Sequence, residues 1–213
     1  SNEMINKNPE LDKDVEKILS TLEAPGAGLP FLQRVFLKLF VGPFLSKKFT
    51  WEQCQGLFDR ETKRILAIVE SVPEKQLTTR ILVPKQAGLE DSSRYWSIAM
   101  TLEHLIIVSS GIETLIVQLS KGITPALKAD TARVKPTVQH MPAQTLRRFK
   151  ELSFGLNTRV NNAIGDKNSP LTHEHPWFGQ FTAAQWNWLL GTHYAIHRKQ
   201  ITAIVRSLGK GQQ

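Results

Sequence analysis

Cysteine is almost missing from this chain: Cys54 is the only one among 213 residues. An internal disulfide is excluded, which agrees with a reducing compartment. No cation or histidine adjoins Cys54, so it reads as a small, half-buried residue rather than a reactive thiol. Uninterrupted apolar runs are short of the ~18 residues that a membrane-spanning helix needs. A basic leader feeding an apolar segment is absent as well, so no secretory signal is expected and the protein is placed in the cytoplasm. Strand signals are sparse, and there is no internal repeat or low-complexity tract. Basic residues are not interleaved with aromatic stacking platforms, and no nucleic-acid-binding motif is present, so nucleic acid is not the expected partner.

What the chain does have is a core. Hydrophobic residues make up 41% of it, too many for a disordered chain. The formal net charge is +8 and is unevenly spread. From Ser1 to Ala24 there are six acids against three lysines, whereas from Lys121 to Lys150 there are seven bases against Asp130 alone. The basic stretch reads first as a solvated face, with attraction of an anionic small molecule as the functional alternative.

Hydrophobic spacing then organises the chain. Leu11, Val15, Ile18, Leu19 and Leu22 recur at helical spacing in a charged arm that ends at the breaker Ala24-Pro-Gly-Ala-Gly-Leu-Pro30. Phe31 to Leu45 is a short basic amphipathic segment broken at Gly42-Pro43. It is expected to cover the domain's own core, with contact to a membrane surface as the alternative. Thr50 and Gln53 have the spacing of a capping box, and the helix they open should run to about Ser71, closed by Pro73. Pro73 to Asp91 reads as a long connection with a short extended piece at Ile81 to Val83. Ser92 or Ser93 should cap a second helix running from Arg94 to about Ser120 and stopped by Gly122. A third helix is expected from about Pro142 to Ala163, with proline in its first turn and Leu146, Phe149, Leu152, Phe154, Leu156 and Val160 as its stripe. Asn161 to Thr172 reads as turn and loop. Thr182 and Gln185 repeat the capping-box spacing, and Trp186, Leu189, Leu190, Ile196, Ile201, Ile204, Val205 and Leu208 mark a long last helix. The expected architecture is all-α: a four-helix bundle over residues 50–213, with an N-terminal arm and short amphipathic helix over residues 1–49.

Six histidines carry the chemistry. His140 sits in the basic loop and is expected to be exposed. His173 and His175 precede the last helix, where His175-Pro176 is expected to fix a loop by hydrogen bonding, with a place over a pocket mouth as the alternative. His193 and His197 lie four residues apart on the apolar stripe of the last helix, so both rings point the same way. His104 lies on the apolar side of the second helix. Each buried imidazole needs polar partners, and one divalent ion would take a nitrogen from all three. Three protein ligands with an open position are the pattern of a catalytic metal site. Glu103, Glu113 and Gln200 are the candidates for hydrogen-bonding the outer ring nitrogens.

The Trp-Ser…Glu-His-Leu pattern at Trp96 to Leu105, the His193-x-x-x-His197 pair and the helix order between them resemble the DinB superfamily. Within it, His175-Pro-Trp-Phe-Gly179 followed by Phe181-Thr182 and Trp186 is similar to an uncharacterised subgroup with a His-Pro-x-Phe-Gly entrance to its last helix. The resemblance covers roughly residues 51–208. It implies a four-helix bundle with down-down-up connectivity and a metal, zinc or nickel, held at positions matching His104, His193 and His197. Characterised relatives include thiol-dependent transferases and isomerases. The expected function is therefore a divalent-metal-dependent enzyme that activates a low-molecular-weight thiol or water, for thiol transfer to a small molecule or its hydrolysis. No side chain stands out as general base. The alternative is a non-catalytic metal-binding or membrane-surface-associated bundle in stress response. A homodimer is compatible with either.

Overall fold

A computed structural model describes residues 9–23, 47–126, 136 and 140–211. The amphipathic segment Phe31 to Leu45 and much of the basic loop after Ala126 lie outside the described residues. Among the described residues the helices are α1 (Pro9–Thr21), α2 (Trp51–Glu70), α3 (Ile98–Ser120), α4 (Pro142–Ala163) and α5 (Ala183–Lys210). Two small antiparallel sheets accompany them: β1 (Ile81–Leu82) with β2 (Tyr95–Trp96), and β3 (Thr172–His175) with β4 (Gly179–Thr182).

The helix starts follow from local chemistry. Thr50 caps α2 and Thr182 caps α5, each as a full capping box with Gln53 and Gln185. Pro142 occupies the first turn of α4, where its missing N–H is not needed. The start of α3 differs from expectation. Ser97, not Ser92 or Ser93, is its N-cap and accepts from the Met100 amide. Tyr95 and Trp96 are instead extended, paired with Leu82 and Ile81. Asp91–Ser93 form a 3₁₀ turn. The polar cap at Ser97 won because the residues before it had found strand partners.

Inter-helix bonds give the direction of each helix. Asn187 near the start of α5 donates to the carbonyl of Trp51 at the start of α2, and Arg198 pairs with Glu61 further along. These two helices run parallel. Gln55 meets Asn161 while Glu70 meets Lys150, so α4 runs antiparallel to α2. Glu113 pairs with Arg159, and the Gly165 amide just past α4 donates to Ser120 at the end of α3. Those two are parallel. The order is up-down-down-up, and α3, α4 and α5 reproduce the down-down-up connectivity. Two consecutive parallel helices require the long return over 121–141.

The core is filled by Phe58 and Ile65 of α2, Leu102, Leu105 and Ile116 of α3, Phe149 and Leu156 of α4, and Leu190, Ile201 and Ile204 of α5. Phe154 departs from the expected stripe and is 56% exposed, because it lies two residues from both Leu152 and Leu156 and so points away from their face. Cys54 is buried, and desolvation raises its thiol pKa, which suits packing rather than reactivity. By length and composition α3 is apolar enough to cross a membrane. In the bundle it is the central core helix, packed against both α4 and α5.

Candidate metal centre

The α3–α5 interface brings together the three histidines singled out by sequence. His104 comes from the second turn of α3, and His193 and His197 from successive turns of α5. One nitrogen from each ring lies within 4.8 Å of the others. His104 Nε2 and His193 Nε2 are 3.1 Å apart. At a zinc–nitrogen distance of about 2.0–2.1 Å, two adjacent ligands of one ion stand about 2.9–3.4 Å apart, so this pair already has a ligand spacing. His104 and His197 are buried, and His193 keeps partial exposure. Burial first, and then the neighbouring rings of His197, His104 and His175, hold the pKa of His193 well below the usual range. A neutral imidazole is the form that donates a lone pair to a metal.

The outer nitrogen of His197 is accounted for. Its Nδ1 lies 2.8 Å from Gln200 Oε1, while Gln200 Nε2 donates to the carbonyl of Ser93 at 2.7 Å. The second bond orients the amide, so its oxygen faces the ring. His197 must then carry its proton on Nδ1, so Nε2 is the unprotonated nitrogen of the ring. Gln200 is thus one of the outer partners expected from sequence. Glu113 is not: it forms an ion pair with Arg159 at 2.6 Å, between α3 and α4. Arg198, next to His197, also turns away and pairs with buried Glu61 on α2.

Aromatic rings wall the centre. Trp96, held by the β1–β2 pairing, stacks on His197 with an interplanar angle of 9° and lies 5.0 Å from His104. The β3–β4 hairpin, which hydrophobic spacing does not announce, packs its His175 ring on Trp186 at the start of α5. Its turn is Pro176 to Phe178, and Gly179 follows with φ of +79°, a conformation that glycine adopts without strain. His175 Nδ1 accepts from the Trp177 and Phe178 amides at 3.0 and 3.2 Å. The His-Pro-Trp-Phe-Gly stretch is therefore a self-capped hairpin turn, and the expected loop-fixing role of His175 is what the bonds show. Desolvation lowers the His175 pKa to about 3 although one edge of the residue keeps some surface. His173 is buried against Trp186. His140 is half-buried rather than fully exposed.

A family model described as the DinB superfamily matches residues 56–201. The chain belongs to the DinB superfamily. The match contains both helices that carry the three histidines. Among solved structures, the chain resembles one titled TT2238, a four-helix bundle protein, at 20% identity, covering 72% of this chain and 99% of that one with a TM-score of 0.50. It also resembles an uncharacterised protein from Escherichia coli UTI89 at 8% identity, covering 75% and 95% with a TM-score of 0.53. Both likenesses speak to the fold alone. No curated protein matches the chain. Membership and the three-histidine cluster together fit a metal-binding DinB-like protein.

Proposed function

We propose that His104, His193 and His197 hold one divalent cation, zinc or nickel, and that the protein is a metal-dependent enzyme acting on a small molecule. The observation that carries this reading is the convergence of three imidazoles from two helices, with two nitrogens already at 3.1 Å. An ion there would lower the pKa of a thiol or water at its open position and so supply a nucleophile near neutral pH.

The rest is the work of the chain. Gln200, anchored on Ser93, fixes the tautomer and tilt of His197. Trp96 packs against two of the three rings and limits their rotation. The hairpin gathers Phe178 and Phe181 around His175 and Trp186, an apolar cluster seated on the same helix as His193 and His197. The reaction that fits best is thiol transfer to an electrophilic small molecule, or its hydrolysis, with a low-molecular-weight thiol as co-substrate in the first case. The protein would work in the cytoplasm.

The test is turnover of the chelator-stripped protein, before and after zinc or nickel is restored, with a panel of electrophiles and low-molecular-weight thiols. Metal-dependent turnover lost in His193→Ala is expected. Turnover indifferent to chelation and to His193→Ala would overturn the reading.

A further inference from the structure

Trp186 and His175 leave two hydrogen-bond donors unused beside the centre. The Trp186 indole is almost wholly buried, at 2% exposure, and among the described residues its Nε1–H has no hydrogen-bond partner. Leaving such a donor unpaired costs about 1–3 kcal/mol, and native interiors contain few of them. Trp186 is seven positions before His193 and eleven before His197, which places all three on one stripe of α5. The His175 ring lies against it, with centroids 5.4 Å apart. Because His175 Nδ1 accepts from two backbone amides, the proton of the neutral ring is on Nε2. Among the described residues no hydrogen bond reaches that Nε2–H, and one edge of His175 keeps some surface.

The surroundings of this donor pair are apolar. Phe178 lies 4.9 Å and Phe181 5.9 Å from the His175 ring. Trp188 meets both phenylalanines edge-on. Both donors are neutral, and among the described residues no cationic side chain stacks on this group of rings. An acceptor is what the pair lacks, and an apolar body is what the walls would cover.

We propose that Trp186 Nε1–H and His175 Nε2–H form a donor pair for a carbonyl or carboxylate oxygen of a small, otherwise apolar ligand held next to the three histidines. The inference rests on the reading of that centre as a substrate site and adds the class of substrate. The hairpin then has two tasks: its backbone amides set the His175 tautomer, and its rings enclose the ligand. Trp186 and His175 are positioning and specificity residues that recognise an acceptor oxygen, and no bond is made or broken on them.

Protein labelled with ¹⁵N in its tryptophan side chains tests this, with benzoate as the probe and benzene as the same apolar body without an acceptor. The Trp186 indole signal is assigned by its loss in Trp186→Phe. Benzoate is expected to move that signal downfield saturably, and benzene is not. His175→Phe and Trp186→Phe should each weaken benzoate binding by about tenfold, the value of one net hydrogen bond. The labelled wild type answers the question even if a variant folds poorly. An indole signal that stays in place throughout the benzoate titration, or that shows contact with water unchanged by benzoate, would overturn the proposal. Running the titration on metal-free and metal-loaded protein separates the two readings. An indole response without metal uptake sinks the metal reading and keeps the donor pair, and metal uptake without an indole response does the reverse.

Discussion

His193 and Tyr194 are neighbours on α5, and both reach across to α3, yet their polar atoms are provided for in different ways. The Tyr194 hydroxyl is wholly buried and has two partners, Ser109 of α3 at 3.0 Å and Ser153 of α4 at 2.8 Å. Its ring packs on Phe58 of α2 at 4.4 Å. One donor and the acceptor capacity of a phenol are filled, and burial pushes its pKa up to about 12. This layer joins four helices and has no capacity left for a ligand. The layer beside it is made of imidazoles facing imidazoles. His104 and His193 meet there nitrogen to nitrogen at 3.1 Å, and a cation would take one nitrogen from each of the three rings. A polar cluster completed by hydroxyls is a structural pin, whereas one completed only by further ligand atoms is a site.

Substitutions that separate the two layers test this contrast. The largest effect is expected from His193→Ala, which should lower divalent-metal affinity by more than about 100-fold, beyond the range typical of an outer-shell partner. It should leave folding largely intact, because His193 is only partly buried and is not among the apolar side chains that fill the core. Calorimetric zinc titration with a thermal melt checks both halves. Gln200→Ala should weaken metal binding by about 10- to 100-fold, since His197 then loses the partner that fixes its tautomer. Tyr194→Phe should do the opposite: it should cost about 1–3 kcal/mol in urea unfolding by leaving two buried serines facing a hydrocarbon ring, with metal stoichiometry unchanged. If Tyr194→Phe abolished metal binding as fully as His193→Ala, the two layers would not be separable.

The smallest effect is a pH dependence in metal-free protein. His175 has a folded pKa of about 3 against an ordinary 6.5, so below 6.5 the unfolded chain binds the proton more readily. Its contribution to stability is fully present above about pH 6.5 and is lost as pH falls toward 3. The metal-free His175→Phe variant should show a shallower fall in melting temperature over that window than metal-free wild type. An identical slope would mean that the ring titrates as though exposed.

Much of this was legible in the sequence, for reasons that can be named. Capping boxes and proline in a first turn are local, so Thr50, Pro142 and Thr182 marked three helix starts correctly. The start of α3 differs from the expected one because Tyr95 and Trp96 obey strand partners 13 and 15 residues back, which spacing along the chain does not reveal. The β3–β4 hairpin was missed because Thr172–His175 and Gly179–Thr182 are short and mostly polar. The Pro176 and Gly179 turn signals were the available clue. The three histidines were found because helical phase put each on an apolar stripe. Choosing Gln200 over Glu113 needed the fold, since only the packing of α4 shows that Glu113 is taken by Arg159. The unused indole N–H of Trp186 has no sequence signature at all.

The central claim is that the imidazole layer is a metal centre and not a second structural pin. The most direct measurement is the metal content of the purified protein after zinc or nickel supplementation, combined with X-ray absorption at the metal edge. One ion per chain with about three histidine nitrogens in its coordination shell is predicted. A protein that remains folded with Tyr194 buried, yet takes up no stoichiometric metal under supplementation, would contradict the account.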